Sequence, residues 1–146
     1  MKFYKVNYDK DDSLSVSFQI DEDFQFLLCE VSGHIANGSK GNNASDYLFG
    51  KVCQYYFQMN CYALILDFSD LEYSFGDRLR KTINFFKVIG RDKEEKMLPV
   101  ILIKPENEEG INTLIDWIKP THLHITTTVE KAKKVSLDLF NEYMDY

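Results

Sequence analysis

The sequence predicts a single α/β domain over residues 1–146, with a mixed, largely parallel sheet flanked by helices and an antiparallel hairpin at its N-terminus. In residues 13–20 apolar and polar side chains alternate, which is typical of a half-buried strand. Residues 62–68 and 98–103 are continuous apolar runs too short for a helix, as expected of strands covered on both faces. Apolar residues at helical spacing separate these runs, and this alternation predicts parallel strands joined by right-handed crossovers.

The strands and turns follow in a simple order. The turn Asp21–Asp23 joins the first strand to a second, so residues 13–32 are predicted to form the hairpin. Residues 2–8 are expected to add an edge strand, or residues 1–12 to form an arm. A polar loop is predicted from Gly33 to Asn43, and a last short strand from His122 to Thr126.

Four helices are predicted from apolar spacing. The second is expected to begin at Asp77 as its N-cap, the third to end at Pro120, and the last to open with a Thr127–Glu130 capping box. Their apolar positions are Leu48, Phe49, Val52, Cys53 and Tyr56; Leu79, Ile83 and Phe86; Ile111, Leu114, Ile115 and Ile118; and Ala132, Val135, Leu139 and Tyr143.

Charge and composition restrict the function classes. Seventeen Lys and Arg against 23 Asp and Glu give a net charge of −6, which disfavours nucleic acid and membrane surfaces and suits a basic protein partner. The N-terminus has no signal-peptide pattern, and no run is long enough to span a membrane, so a cytoplasmic location is expected. Cys29, Cys53 and Cys61 lack metal-ligand spacing and are interpreted as inert buried thiols.

The segment from Ser69 to Gly76 follows the most apolar strand, at the sheet edge where α/β proteins bind ligands. We expect it to be a loop. Asp67, Asp70, Glu72 and Asp77 surround it, as an acid–base pair or, the favoured interpretation, as a solvated acidic rim that docks Lys or Arg. Phe75 is either an exposed anchor for a partner or part of an inward-turned loop that closes an aromatic core.

Three stretches resemble the STAS family of anti-sigma-factor antagonists and transporter regulatory domains: LCEVSG, LILDFSDLEYSFGDRL and TTTVEKAKKV. The resemblance covers about residues 13–143 and implies a protein-interaction role. In its register the family's D-S-S-G falls on Phe75–Arg78, which puts Asp77 where antagonists carry their phosphorylated serine. Asp77 is then either a constitutive phosphoserine mimic or, as the sequence favours, a plain helix cap.

A second register resembles the enoyl-CoA hydratase (crotonase) family. Residues Tyr73–Leu79 are similar to that family's F-S-x-G-x-D-L, whose backbone N–H groups help form an oxyanion hole. The second loop would be PVILIKPENEEG, which has only Gly110 among three glutamates. Negative charge would be opposed there, so this resemblance implies a degenerate enzyme.

Two further motifs do not support a ligand site. GHIANGSK has Ser-Lys where a phosphate loop needs Lys-Ser, and its helix is expected to begin too late. His122 and His124 lie on one side of a predicted strand, but no third metal ligand accompanies them. We therefore expect no cofactor and no metal.

The leading hypothesis is a non-enzymatic, STAS-like interaction module of a bacterial regulatory system. The alternatives are an acidic immunity (antitoxin-type) protein that neutralises a basic toxin, and a degenerate crotonase-like acyl-thioester enzyme. Homodimer formation is left open. The predicted contact residues are Ser74, Phe75, Gly76, Asp77 and Arg78, with Asp70 and Glu72 beside them.

Overall fold

A computed structural model describes residues 1–5, 10–90, 99–120 and 122–144. In these ranges five strands form one sheet in the order β1-β2-β3-β4-β5. The strands are β1 Leu14–Asp21, β2 Phe26–Ile35, β3 Ala63–Tyr73, β4 Val100–Ile103 and β5 Leu123–Thr126. The helices are α1 Asn42–Gln58, α2 Arg80–Ile83, α3 Phe85–Val88, α4 Glu109–Ile118 and α5 Val129–Met144. Strands β1 and β2 are antiparallel and the other neighbours are parallel, which confirms the predicted fold class.

Helices cover both faces of the sheet. On one face, residues of α1 to α4 pack with Leu27, Leu64 and Leu102 in the main core. On the other face, Ala132 of α5 packs with Leu28, Ile65 and Ile101. Successive residues of the central strands therefore face opposite helix layers, and this is why residues 63–66 of β3 and all four residues of β4 are apolar.

The N-terminal hairpin is present as predicted, and β2 continues beyond it to Ile35. The carboxylate of Asp21 accepts a hydrogen bond from the backbone N–H of Asp23 (2.9 Å), which fixes the turn. The predicted edge strand over residues 2–8 does not form in residues 1–5, and residues 6–8 lie outside the described ranges.

The central strand is longer than predicted, because it continues through a β-bulge. Glu30 pairs with Asp67 and Ser32 with Asp70, so β3 has one more residue than β2 between these pairs. The Asp67 carboxylate accepts hydrogen bonds from the Ser69 N–H (3.0 Å) and hydroxyl (2.7 Å) at the bulge. The predicted loop from Ser69 to Gly76 is therefore wrong over residues 69–73, and the connection itself begins at Ser74.

The helix boundaries around Asp77 also differ. Leu79 holds the N-cap position of α2, no side chain caps that helix, and the region is divided into α2 and α3 at Asn84. The N-cap role predicted for Asp77 is wrong. The fully buried Leu79 draws the chain inward, so the turn closes through the Asp77 carbonyl, which accepts from the Arg80 N–H (3.2 Å).

Two smaller boundaries need correction. Thr128, not Thr127, caps α5, since its hydroxyl accepts from the Lys131 N–H (3.1 Å). A 3₁₀ turn at Gly38–Gly41 leads directly into α1, so the polar loop ends earlier than predicted and only the Ser-Lys order still argues against a phosphate loop. Among the described helices, none has the length and apolar character needed to cross a membrane.

Candidate functional site

The loop over residues 74–76, at the carboxyl end of β3, is held by its own backbone. The N–H of Gly38 donates a hydrogen bond to the Phe75 carbonyl (3.1 Å). The hydroxyl of Tyr73 donates to the Gly76 carbonyl. These bonds hold the two successive carbonyl groups that follow the Phe75 side chain, so the loop has a defined backbone conformation.

Gly110 allows the first turn of α4 to touch this loop. A Cβ atom on Gly110 would lie 2.3 Å from the Ser74 carbonyl oxygen and under 3.0 Å from two more backbone atoms of Ser74. Any larger residue would push α4 and the loop apart. Gly110, the single glycine of residues 99–110, therefore has a packing role.

Phe75 and Trp117 are the two large exposed side chains at this edge. The Phe75 side chain is 58% exposed and that of Trp117 is 63% exposed. Both line one open cleft of about 320 Å³, which Leu114 and Gly110 also line. The inward-turned alternative for Phe75 is thus wrong, although other aromatic residues, Phe85 among them, do lie in the core.

Trp117 was not identified from the sequence, although the signal was present. The apolar stripe of α4 is Ile111, Leu114, Ile115 and Ile118, and Trp117 falls outside it. A tryptophan off the buried stripe of an amphipathic helix is predicted to face solvent.

A second, acidic depression of about 640 Å³ adjoins this cleft and shares Tyr73 and Ser74 with it. Asp70, Glu72 and Glu106 contribute its carboxylates. The Glu72 carboxylate lies 3.7 Å from Nδ1 of His34. Within the described ranges, no Lys or Arg forms an ion pair with any of the three carboxylates.

Arg78 and Asp77 have different surroundings. The Arg78 guanidinium lies 2.6 Å from the carboxylate of Asp46 on α1, whose side chain is only 15% exposed, and Lys81 is 3.7 Å from the same carboxylate. Arg78 therefore ties the loop to α1. The exposed Asp77 carboxylate lies 3.6 Å from the Arg80 guanidinium. The structure thus brings the predicted residues to one edge, with Arg78 serving mainly as an anchor.

Burial favours the protonated forms of Tyr73 and the three cysteines. Burial, together with the charge of Asp77, raises the pKa of Tyr73 to about 12, so its hydroxyl stays a donor at neutral pH. Burial raises the pKa of Cys61 to about 11 and also raises the pKa of Cys53 and Cys29. Among the described residues, no group of three or more His, Cys, Asp or Glu side chains is arranged to hold a metal ion.

The solved structures that are similar to this fold include two anti-sigma factor antagonists. An anti-sigma factor antagonist from Mycobacterium paratuberculosis matches with a TM-score of 0.55 and 19% identity, over 89% of this chain and 99% of that protein. The anti-sigma factor antagonist SpoIIAA in its unphosphorylated form matches with a TM-score of 0.52 and 12% identity, over 85% of this chain and 98% of that protein. No family model matches the sequence, and no curated protein is similar to it in sequence.

These similarities test both resemblances drawn from the central segment. Both of these structures are anti-sigma factor antagonists, and the comparisons give no support to the crotonase-like resemblance. The hairpin, the mixed five-stranded sheet of the described residues and the flanking helices agree with the first resemblance. The chain therefore has a STAS-like fold.

Proposed function

We propose that this chain is a non-enzymatic regulatory module of a bacterium, which binds a protein partner through the edge formed by residues 74–78 and Trp117. The observation that carries the proposal is the exposure of Phe75 on a backbone fixed by hydrogen bonds. We further propose that the module acts in the cytoplasm. Its neighbours in fold are anti-sigma factor antagonists, and a regulatory role of that kind is the one we assign.

The physical argument starts from the exposed rings. Large aromatic side chains are enriched at the centres of interfaces, where their removal from water stabilises the complex. A loop that is already ordered loses little conformational entropy when the partner binds. Phe75 and Trp117 meet both conditions, since each is more than half exposed and each sits on a packed element.

The polar groups at this edge favour binding over catalysis. Tyr73 is protonated and occupied with the Gly76 carbonyl, and Arg78 is paired with Asp46. Both groups hold the loop in place, so neither is available as a nucleophile, base or acid for a substrate.

Asp77 places an exposed carboxylate at this edge, 3.6 Å from the Arg80 guanidinium. In the STAS-like register it occupies the position of the serine that antagonists present for phosphorylation. Its carboxylate is exposed and caps no helix, so a partner can contact it directly. We propose that partner binding depends on this carboxylate and does not require phosphorylation of the loop by a kinase.

Affinity capture from the native cells tests the proposal. The bait is the full chain, and the test variant is Phe75→Ala with Asp77→Arg. The control is Phe57→Ala with Asp138→Arg, which makes the same two changes on exposed residues of α1 and α5. One identified protein should be captured by the wild type and the control, and about tenfold less by the test variant.

Equal capture by all three baits would overturn the surface assignment. If the captured protein is a basic toxin, the acidic immunity function replaces the regulatory one. No contact among the described residues favours that alternative, and the regulatory function remains the proposal.

A further inference from the structure

The apolar cleft and the acidic depression meet at two residues. Tyr73 and Ser74 line both: on one side lie Phe75, Leu114 and Trp117, and on the other lie the three carboxylates of Asp70, Glu72 and Glu106. A single extended segment lying across Ser74 would reach both depressions. We propose that the partner contributes a peptide segment in which a large apolar or aromatic side chain stands a few residues from Lys or Arg. This inference rests on the proposed function and names the chemistry of its partner.

The apolar cleft is the reason to expect a large apolar or aromatic side chain, the anchor, in the partner's segment. The cleft has a volume of about 320 Å³ and is walled by the exposed Phe75 and Trp117 rings. This size lies near the lower end of the range for ligand pockets, roughly 300 to 1,000 Å³, and suits one side chain rather than a cofactor. An anchor that enters it removes the two rings from water together.

The acidic depression is the reason to expect Lys or Arg in the partner's segment. Most nearby cations are already paired: Arg78 with Asp46, Arg80 with Asp77, and Lys104 with Glu108 at 3.7 Å. Among the described residues, the three carboxylates of the acidic depression form one ion pair, that of Glu72 with His34. The positive charge of a Lys or Arg in the partner would be attracted by all three carboxylates, whereas an acidic segment would be repelled.

The volume of the acidic depression also suits a Lys or Arg side chain of the partner. It is about twice that of the apolar cleft and is open to solvent, so a long, flexible basic side chain can enter while keeping part of its hydration. The exposed positions of Asp70 and Glu72 alternate along β3 with the buried Leu71 and Tyr73. Their carboxylates are therefore placed by the strand itself.

Selection from a random peptide library tests the proposal with the purified full chain. Peptides are selected on the wild type after depletion on Phe75→Ala, and the enriched sequences are read. Each enriched peptide is then made with Phe or Leu in place of any Trp. The protein has one tryptophan, Trp117, so its fluorescence reports directly on occupation of the cleft.

The expected peptides pair an apolar or aromatic residue with Lys or Arg, and they shift the fluorescence of Trp117. Asp70→Asn with Glu72→Gln should weaken their binding about tenfold, as should Phe75→Ala. Phe57→Ala, which changes an equally exposed phenylalanine outside both depressions, should leave binding unchanged. Raised salt should weaken binding to the wild type and have less effect on the Asp70/Glu72 variant.

Three results would overturn the inference. These are a library that yields no binder, enriched peptides without basic residues, and peptides that bind without moving the Trp117 fluorescence. The proposed function would still stand in each case if cellular capture were lost with the Phe75/Asp77 variant. The contact surface itself is refuted only if the peptide experiment fails and the Phe75/Asp77 variant also captures its partner as well as the wild type does.

Discussion

Replacing Gly110 with alanine should destabilise the protein, although alanine is the better helix former. In α4 the new Cβ would lie 2.3 Å from the Ser74 carbonyl oxygen, whereas carbon–oxygen contacts are ordinarily about 3.3 Å or longer. The helix and the loop must therefore separate by about 1 Å. Three backbone atoms of Ser74 are involved, so no flexible side chain can relieve the contact.

The size of the effect follows from two opposing contributions. Overpacking of this kind costs about 1–3 kcal/mol. The higher helix propensity of alanine offsets less than about 1 kcal/mol of this cost, because Gly110 lies in the first turn rather than in the helix interior. The net loss should be about 1–2 kcal/mol, which lowers the melting temperature by roughly 2–4 °C per kcal/mol for a chain of this size.

Urea unfolding of Gly110→Ala and Gly50→Ala measures the prediction. Gly50 lies inside α1, and a Cβ there would meet no atom within 4 Å. Gly50→Ala should therefore stabilise the protein by about 1 kcal/mol. If both substitutions stabilise the protein equally, α4 does not pack against the loop and the account of the Phe75 surface fails with it.

Other consequences can be measured on stability and reactivity. Thr128→Ala should lower the free energy of unfolding by about 1 kcal/mol through loss of the α5 cap, and Thr127→Ala by much less, as checked by urea titration. Tyr73→Phe removes the hydrogen bond to the loop and should lower it by about 0.5–1.5 kcal/mol near neutral pH. The pKa of Tyr73 is raised to about 12 from an ordinary value of 10, so its stabilisation is complete below pH 10 and lost as the pH rises towards 12. Unfolding across that interval should show a smaller decline for Tyr73→Phe, and an equal decline would contradict the assignment. Thiol titration at pH 8 should find Cys53 reacting slowly and Cys29 reacting only on unfolding, because burial raises both pKa values and Cys29 is fully enclosed. Rapid reaction of Cys29 in the folded protein would contradict the packing of β2.

The fold was predictable because its signals are local and repeated. Alternation in β1 and the apolar runs of β3 and β4 each report how many faces of a strand are covered. Residue 98, predicted in the same strand as β4, lies outside the described ranges, and β4 itself begins at Val100. The extension of β3 was missed since the bulge shifts the apolar phase by one residue. After Leu64, Leu66 and Phe68, the pattern resumes at Leu71.

The site was only partly predictable, for a different physical reason. Phe75 and Asp77 were found because they follow the buried strand in sequence. Gly110 and Trp117 reach the same edge from a separate helix, and their position beside residues 74–76 depends on tertiary packing that no local pattern records. The cap assigned to Asp77 failed likewise, since burial of Leu79 outweighed the preference of aspartate for an N-cap.

Hydrogen exchange of the captured complex, compared with the chain alone, tests the central claim most directly. Binding of a partner at the Phe75–Trp117 edge should slow backbone exchange in residues 74–78 and 112–118, and leave the end of α1 around Phe57 unchanged. Protection confined to α5 or to the β1 edge, with residues 74–78 unaffected, would contradict the claim that this loop is the contact surface.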